Sequence, residues 1–224
     1  MKTDVFFIFL VSLSANWLDM QEIKDLNAYR ISLKDKILDT AHLAFAQRGI
    51  RAVKMDDIAS SLSISKRTLY EIYGDKESLL FACIRKDIQV RSDYMKDYVA
   101  NHNVIDVVAE IYRKNVDRLR RTNHLFYLDI QQYPKIVKYI EEEHAHSHEK
   151  FISFMHRGVR EGYFRKDVNY ELISQLFDNI GDFVVKNQLY MQYSYEELMV
   201  NLMLVPFRGF CTEKGLKVLN QLKL

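Results

Sequence analysis

Proline and glycine are scarce in this sequence of 224 residues, which has 2 Pro and 7 Gly. Both residue types interrupt helices, and the two prolines, Pro134 and Pro206, leave long stretches in which helices can run. Hydrophobic residues make up 48% of the chain, which is enough to bury a core. The composition therefore predicts a folded, all-α protein.

Cysteine and catalytic motifs are scarce as well. The two cysteines, Cys83 and Cys211, have neither C-x-x-C nor Cys–His spacing, which argues against a disulfide scaffold and a zinc finger. We expect both thiols to be buried and reduced, as in a cytoplasmic protein. The sequence has no G-x-S-x-G motif, P-loop, dinucleotide glycine motif or H-E-x-x-H pattern. We predict no catalytic residues, no cofactor and no enzymatic activity.

Neither an excess of one charge nor a long apolar segment is present. The 32 Lys and Arg against 30 Asp and Glu give a net charge of +2, so a DNA-binding surface would have to be local. The apolar run Val5–Val11 is well short of the roughly 20 residues that span a membrane. We predict no membrane partner and treat residues 1–29 as an extension, with 1–19 either disordered or a mis-called start before Met20. Export, and a membrane-associated regulator anchored by residues 5–13, are the alternatives.

The sequence does have clear helical periodicity. Apolar residues recur at three- and four-residue intervals over Leu33–Phe45, and Gly49 supplies a C-terminal stop. A short second helix is expected over 54–62, with acidic residues in its first turn. The turn Ser63–Ser65 then separates it from a third helix over Lys66–Tyr73, which the last residue of the turn can cap. The pattern predicts a helix, a three-residue turn and a second helix.

Further helices are expected to the end of the chain. Asp75 caps a fourth helix that begins at Lys76, and later helices are predicted over 87–100, 104–121, 124–131, 134–161, 168–190 and 195–220. Ser194 and Glu197 form a capping box at the start of the last helix, and Pro206 should kink or interrupt it. The helix before it carries a broad apolar stripe of Leu172, Ile173, Leu176, Phe177, Ile180, Phe183 and Val184.

The third helix has the features of one that enters the DNA major groove. Its apolar residues and those of the preceding helix and turn should face inward, namely Ile58, Leu62, Ile64, Leu69 and Ile72. Lys66, Arg67, Tyr70 and Glu71 are left facing outward. The fork of Arg67 suits guanine O6 and N7, whereas Lys66 suits a phosphate. Tyr70 can offer its hydroxyl to the DNA backbone.

Several segments of this region resemble the DNA-binding signature of TetR-family bacterial regulators. These segments are Met55–Ala59, Leu62–Ser65, Thr68–Tyr70 and Gly74–Leu79. The resemblance implies phosphate contacts from Tyr70 and from Lys76 at the start of the fourth helix. It also implies base or backbone contacts from positions 66–68. Together with Lys54, these residues make up our predicted DNA-binding set of Lys54, Ser65, Lys66, Arg67, Thr68, Tyr70 and Lys76.

The sequence departs from the family pattern at three positions. Lys54 stands where the family often has a Thr or Ser, and lysine can replace the phosphate contact but not the helix cap. Ser63 stands where glycine is usual, so we expect a non-glycine residue at positive φ there, at some cost in strain. Arg67 stands where a small residue is common, which makes it the predicted determinant of DNA sequence preference.

The predicted organisation has two domains. Residues 30–82 form an N-terminal three-helix helix-turn-helix domain, and residues 83–224 a larger helical domain for ligand binding and dimerisation. The resemblance implies a repressor that binds a palindromic double-stranded DNA operator as a homodimer. A small apolar or amphipathic ligand of unknown identity would release it. The alternative is a helical cofactor-binding or enzymatic bundle that does not bind DNA.

Two polar clusters outside the first domain have more than one interpretation. His144 and His148 lie one helical turn apart, a spacing that can hold zinc or nickel, but we predict a solvated face and no metal. A basic cluster on the predicted helix 104–121 could bind an anion, although a solvated face is the expectation. Its members are Arg113, Lys114, Arg118, Arg120 and Arg121.

Overall fold

The computed structural model describes residues 31–145 and 148–221. Apart from one isolated bridge between Phe164 and Cys211, all the regular structure in these ranges is helical, which confirms the all-α prediction. The N-terminal apolar run and the whole of the predicted extension over residues 1–29 lie outside the described residues. Within the described ranges no helix is long and apolar enough to cross a bilayer.

The helices follow one another with short connections. The first, α1, covers residues 31–48. The others are α2 (Met55–Ser61), α3 (Lys66–Tyr73), α4 (Lys76–Asn101), α5 (Val104–Arg121), α6 (His124–Ile130), α7 (Pro134–Ala145), α8 (His148–Arg160), α9 (Tyr170–Lys186), α10 (Tyr195–Met199), α11 (Val205–Gly209) and α12 (Glu213–Gln221). A 3-10 turn at Leu189–Met191 follows α9, and a π turn at Val200–Leu204 joins α10 to α11.

The chain divides into two compact units. The first contains the residues up to Leu43 together with Lys54–Cys83, and the second contains Ala44–Val53 together with everything from Ile84 onward. The end of α1 and the turn after it therefore cluster with the second unit. The functional domains 30–82 and 83–224 stay a prediction; the compact units place Cys83 in the first unit and residues 44–53 in the second.

The first unit has a small apolar core. Ile37 of α1 is fully buried, as are Leu69 of α3 and Leu79 of α4. Of the five residues predicted to face inward, Ile58 and Leu69 are buried and the other three are half-buried. Cys83 is buried, as expected, and its thiol donates to the carbonyl of Leu38 at 3.5 Å.

One helix prediction needs correction, and a second is only partly described. The fourth helix and the helix expected over 87–100 are one continuous helix of 26 residues, Lys76–Asn101, because no Gly or Pro lies between them. The helix expected over 134–161 is described as α7 and α8 on either side of residues 146–147, which lie outside the described ranges.

The last helical segment is interrupted as predicted. Ser194 and Glu197 form the expected capping box, with the Ser194 amide donating to Glu197 Oε2 at 2.9 Å. The α-helical hydrogen bonds then give way to the π turn, in which the Val205 amide donates to the carbonyl of Val200, five residues earlier. Pro206 follows directly. Its ring cannot donate a backbone hydrogen bond and crowds the carbonyl four residues earlier, which explains why the α-helical ladder is broken there.

The core of the second unit is rich in aromatic rings. Phe164 meets Phe207 and Phe210 edge to face, at centroid distances of 5.3 and 5.8 Å. Gly158 packs so closely on the Phe164 ring that an added Cβ would lie 2.0 Å from it. Cys211 is buried beside these rings, and burial raises the pKa of its thiol to about 11. A thiol with this pKa stays protonated at neutral pH and is a poor nucleophile.

The turn after α1 is tied to α6 within the second unit. Gly49 ends α1 at φ 81°, a conformation that favours glycine, and a Cβ there would lie 2.9 Å from Leu125 Cβ. The amide of Arg51 donates to the buried carboxylate of Asp129 at 2.7 Å. The amide of Asn123 donates to the carbonyl of Ala46 at 2.7 Å.

Candidate nucleic-acid interface

The turn between α2 and α3 has the strained residue that the sequence predicts. Ser63 has φ 53°, in the left-handed region, and its amide donates to the carbonyl of Ser60 at 3.1 Å. The next amide, that of Ile64, donates to the carbonyl of Ala59 at 3.0 Å. A non-glycine residue pays roughly 1–2 kcal/mol for this conformation. The turn is thus held by backbone hydrogen bonds rather than by a favourable residue.

Ser65 caps α3, as predicted. Its Oγ accepts from the Thr68 amide at 3.0 Å and lies 2.8 Å from the Thr68 hydroxyl. The two side chains therefore satisfy each other and fix the first turn of α3. Each hydroxyl has further hydrogen-bonding capacity, since a hydroxyl has one donor and two acceptor lone pairs. Both can contact a phosphate without giving up the cap.

The outer face of α3 carries the predicted polar residues. Lys66, Arg67, Tyr70 and Glu71 are all exposed, whereas Leu69 is fully buried. The Arg67 side chain is 87% exposed, so it extends into solvent from the start of the helix. This is the part of a second helix that reaches base edges in a helix-turn-helix protein.

Both basic side chains on this face contact a carboxylate. Lys66 Nζ lies 2.8 Å from Asp56 Oδ1 on α2, and Arg67 Nε lies 2.7 Å from Glu71 Oε1. The hydrogen bond to Asp56 raises the pKa of Lys66, so its ammonium is firmly charged. Exposed ion pairs of this kind contribute little to stability. Phosphate or base acceptors of DNA can therefore replace these carboxylates with little loss of free energy.

Sequence reasoning missed both carboxylate partners. The Arg67–Glu71 pair has i,i+4 spacing, a signal that was available in the sequence. The Lys66–Asp56 pair joins two helices across ten positions, so only the folded chain reveals it.

Lys54 and Lys76 lie at the starts of α2 and α4. The Lys54 side chain provides no cap, as predicted, because an ammonium has no acceptor; instead the Lys54 amide donates to Asp57 Oδ2 at 3.0 Å. Lys76 is the first residue of α4 and is half-buried. Asp75 caps this helix, accepting from the Ser78 amide at 2.7 Å. The structure thus puts five predicted residues on α3 and its cap, and one lysine at the start of each neighbouring helix.

The histidine cluster does not form a metal site within the described residues. The side chain of His144 lies outside them, and His148 contacts Glu171 Oε2 at 3.0 Å and Ser174 Oγ at 2.9 Å. No group of three or more potential metal ligands occurs in the part of the chain that the structure describes. His148 instead links α8 to α9.

Comparison with known proteins agrees with this geometry. Residues 37–83 match the sequence model of the family described as "Bacterial regulatory proteins, tetR family". The HTH-type transcriptional repressor KstR2 of Mycobacterium tuberculosis H37Rv is 24% identical over 149 residues, covering 63% of this chain and 74% of KstR2. The negative transcriptional regulator IcaR of the Staphylococcus epidermidis icaADBC biofilm operon is 28% identical over 175 residues, covering 67% and 90%.

The fold is also found among solved structures. A putative transcriptional regulator from Saccharomonospora viridis, crystallised in complex with choline, superposes with a TM-score of 0.63 at 17% identity, covering 81% of this chain and 99% of that one. The family is non-enzymatic, so the expectation of no enzymatic activity is confirmed. From its helix-turn-helix geometry and these similarities, the chain belongs to the TetR family of bacterial transcriptional regulators.

Proposed function

We propose that this regulator is a homodimeric repressor that binds a palindromic operator and is released by a small ligand. The exposed polar face of α3 is the observation that carries the DNA-binding part, because Arg67 projects from the first turn of a helix whose other face is buried. Arg67 would read a guanine and Lys66 a phosphate. Ser65, Thr68, Tyr70, Lys54 and Lys76 would hold the remaining backbone contacts.

Repression rather than activation is supported by the relatives. KstR2 is named as a repressor and IcaR as a negative regulator. Both are similar to this chain over more than half of its length. A ligand-responsive mechanism is supported by the structural neighbour, which was crystallised with choline; the choline itself is a ligand of that protein. Ligand binding would weaken operator affinity only as far as the ligand favours the conformation that does not bind DNA.

An apolar surface on α9 supports dimerisation. The predicted stripe divides between two faces, since Ile173 and Phe177 pack against the core of the second unit. Leu172, Leu176 and Phe183 point outward and are 61, 49 and 51% exposed; we refer to these three as the outer row. Their i, i+4 and i+11 spacing places them along one side of the helix. An apolar row of this kind fits a second copy of the chain.

The segment after α9 extends this apolar surface. Val200 and Val205, at either end of the π turn, are 37 and 54% exposed. Helix α9 and the segment α10–α11, taken as one interrupted helix, would form a four-helix interface with their copies around a two-fold axis. A dimer would then present two α3 helices to successive major grooves, about 34–36 Å apart or somewhat more.

Footprinting on the DNA upstream of the gene tests the proposal. We expect a two-fold symmetric protected site whose protection is lost when the correct ligand is added. Protection of a single, asymmetric half-site would contradict the dimer, and no protection at any salt concentration would contradict operator binding. Transcription from the same promoter should fall when the protein is added, and a rise would contradict repression.

A further inference from the structure

Four of the five basic residues predicted as a cluster on α5 have a carboxylate partner. The pairs are Arg113 with Glu110 at 3.1 Å, Lys114 with Glu110 at 3.7 Å, Arg121 with Asp117 at 2.9 Å, and Arg120 with Glu196. These side chains are 49 to 78% exposed. For these four residues the interpretation as a solvated helix face holds. Arg118 is the exception.

Arg118 is half-buried and incompletely satisfied. Its Nη2 donates to Asn115 Oδ1 at 3.2 Å, but its Nε is buried and has no hydrogen-bond partner among the described residues. Nor does any carboxylate in the described ranges form an ion pair with it. A guanidinium cannot give up its charge in a protein, so burial of an unpaired donor on it is costly. Such an arrangement calls for an anion from outside the chain.

A second arginine lies within electrostatic reach of Arg118. Arg91 on α4 contacts Asp87 Oδ2 at 3.1 Å, and its side chain is 45% exposed. Burial lowers the pKa of Arg91, and the positive charge of Arg118 lowers it further, against the opposing effects of Asp87 and Tyr127. The single negative charge of Asp87 cannot offset the charges of two guanidiniums. Two guanidiniums that repel each other in this way create a positive potential that an anion would relieve.

The surroundings of Arg118 are polar and come from three helices. Asn115, Arg118 and Thr122 recur along one side of α5 and its C-terminus, and all three are half-buried. Arg91 contributes from α4, and Tyr127 from α6 lies within its electrostatic reach. The partial exposure of Arg91 leaves the pair open to solvent on one side.

We propose that Arg118 and Arg91 bind the oxyanion of the ligand to which this regulator responds, as a carboxylate or a phosphoryl group. The inference rests on the proposed ligand-responsive function and specifies the chemical class of the ligand. A planar guanidinium matches both oxyanions and can donate two parallel hydrogen bonds to either. Arg118 Nε would then gain the acceptor that the protein itself does not give it.

Binding of four single-chain compounds tests the charge requirement. The probes are decanoate, decyl phosphate, decanol and decyltrimethylammonium, used below their micelle concentrations and followed by calorimetry with the full-length protein. We expect one or both anions to bind and the neutral and cationic probes to bind at least about tenfold more weakly. The tighter anion identifies the source as a carboxylate or a phosphate ester.

Three variants test the residues. Arg118→Gln should weaken binding of the anion by about ten- to a hundredfold, because a charge-assisted bidentate contact is lost. Arg118→Lys keeps the charge but not the fork and should lose less. Arg121→Gln is the matched control: its partner is Asp117 and its side chain is 78% exposed, so anion affinity should change less than about twofold.

The proposal is overturned if neither anion binds, if decanol binds as tightly as the anions, or if Arg118→Gln leaves anion affinity unchanged. Circular dichroism checks the fold of each variant, and Arg91→Gln replaces Arg118→Gln if the latter is unfolded. DNA release measured in the same samples separates this proposal from the proposed function. Release by decanol but not by the anions overturns the oxyanion site alone. Anion binding at Arg118 without DNA release contradicts ligand-responsive repression and leaves the oxyanion site supported.

Discussion

Helices α3 and α9 both bury one face and expose the other, but the chemistry of the exposed faces is opposite. On α3 the exposed side chains are ionic, and Arg67 is 87% exposed. On α9 the outer row is apolar, with Leu172 61% exposed. Water solvates the first face well and the second poorly. On each helix the exposed face, rather than the buried one, supports the proposed partner: DNA for α3 and another copy of the chain for α9.

The largest effect is expected from a charge in the outer row. Leu176→Glu would bury an unpaired carboxylate in the proposed dimer interface, and the dimer dissociation constant should rise by about a hundredfold or more. Sedimentation velocity measures the change. Operator affinity should fall with it, because each monomer contacts one half-site.

Val90→Glu is the control for this variant. Val90 on α4 is 58% exposed and lies outside the outer row, so the same substitution there should leave the dimer intact. A Leu176→Glu protein that sediments as a dimer at micromolar concentration would remove the outer row from the interface.

Removing the exposed arginine of α3 should have the next largest effect. Arg67→Ala is expected to cost about 1–3 kcal/mol of specific affinity and to relax preference at one base position. Binding to a library of operator variants measures both. Glu71→Gln is the contrasting change, since it removes only the ion-pair partner of Arg67 and should preserve the preference. An identical preference profile for wild type and Arg67→Ala would contradict base recognition by Arg67.

The lysine at the start of α4 should act on affinity without specificity. Lys76→Ala is expected to weaken binding to all sequences about equally and to reduce the slope of log K against log salt by about one. Lys114→Ala is the control in the second unit, where the lysine contacts Glu110. Lys76 is not a phosphate contact if the slopes of wild type and Lys76→Ala coincide.

The smallest effect concerns the turn that presents α3. Ser63→Gly should raise the free energy of unfolding by up to about 1 kcal/mol, because glycine adopts φ 53° without the steric cost. Urea denaturation measures the change. Ser65→Ala should act in the opposite direction by about 0.5–2 kcal/mol, since it removes the α3 cap. A destabilised Ser63→Gly protein would mean that the turn is not strained.

Local sequence rules predicted the first unit well. The caps at Ser65 and Asp75 and the positive φ of Ser63 depend on neighbouring residues, and the structure confirms all three. The surface proposed to bind a second copy of the chain was less predictable. The stripe on α9 was visible, but its division into a core face and an outer row depends on where Phe164 and Phe210 pack, which periodicity does not report.

The basic residues of α5 show where local rules end. Their i,i+3 and i,i+4 carboxylates, Glu110 and Asp117, could be read from the sequence. Arg118 differs from its neighbours because its Nε is buried without a partner among the described residues and because it interacts electrostatically with Arg91 on another helix. Sequence spacing alone cannot single it out.

The π turn before Pro206 shifts the helical register. Because its hydrogen bond spans five residues instead of four, the helix carries one more residue than an α-helix of the same number of turns. Residues before and after it consequently follow separate periodic patterns, and Val200 and Val205 both reach solvent. Deletion of one residue from this turn would rotate α11 by about a third of a turn. It would carry Val205 away from the surface it shares with Val200 while leaving the composition of the helix almost unchanged.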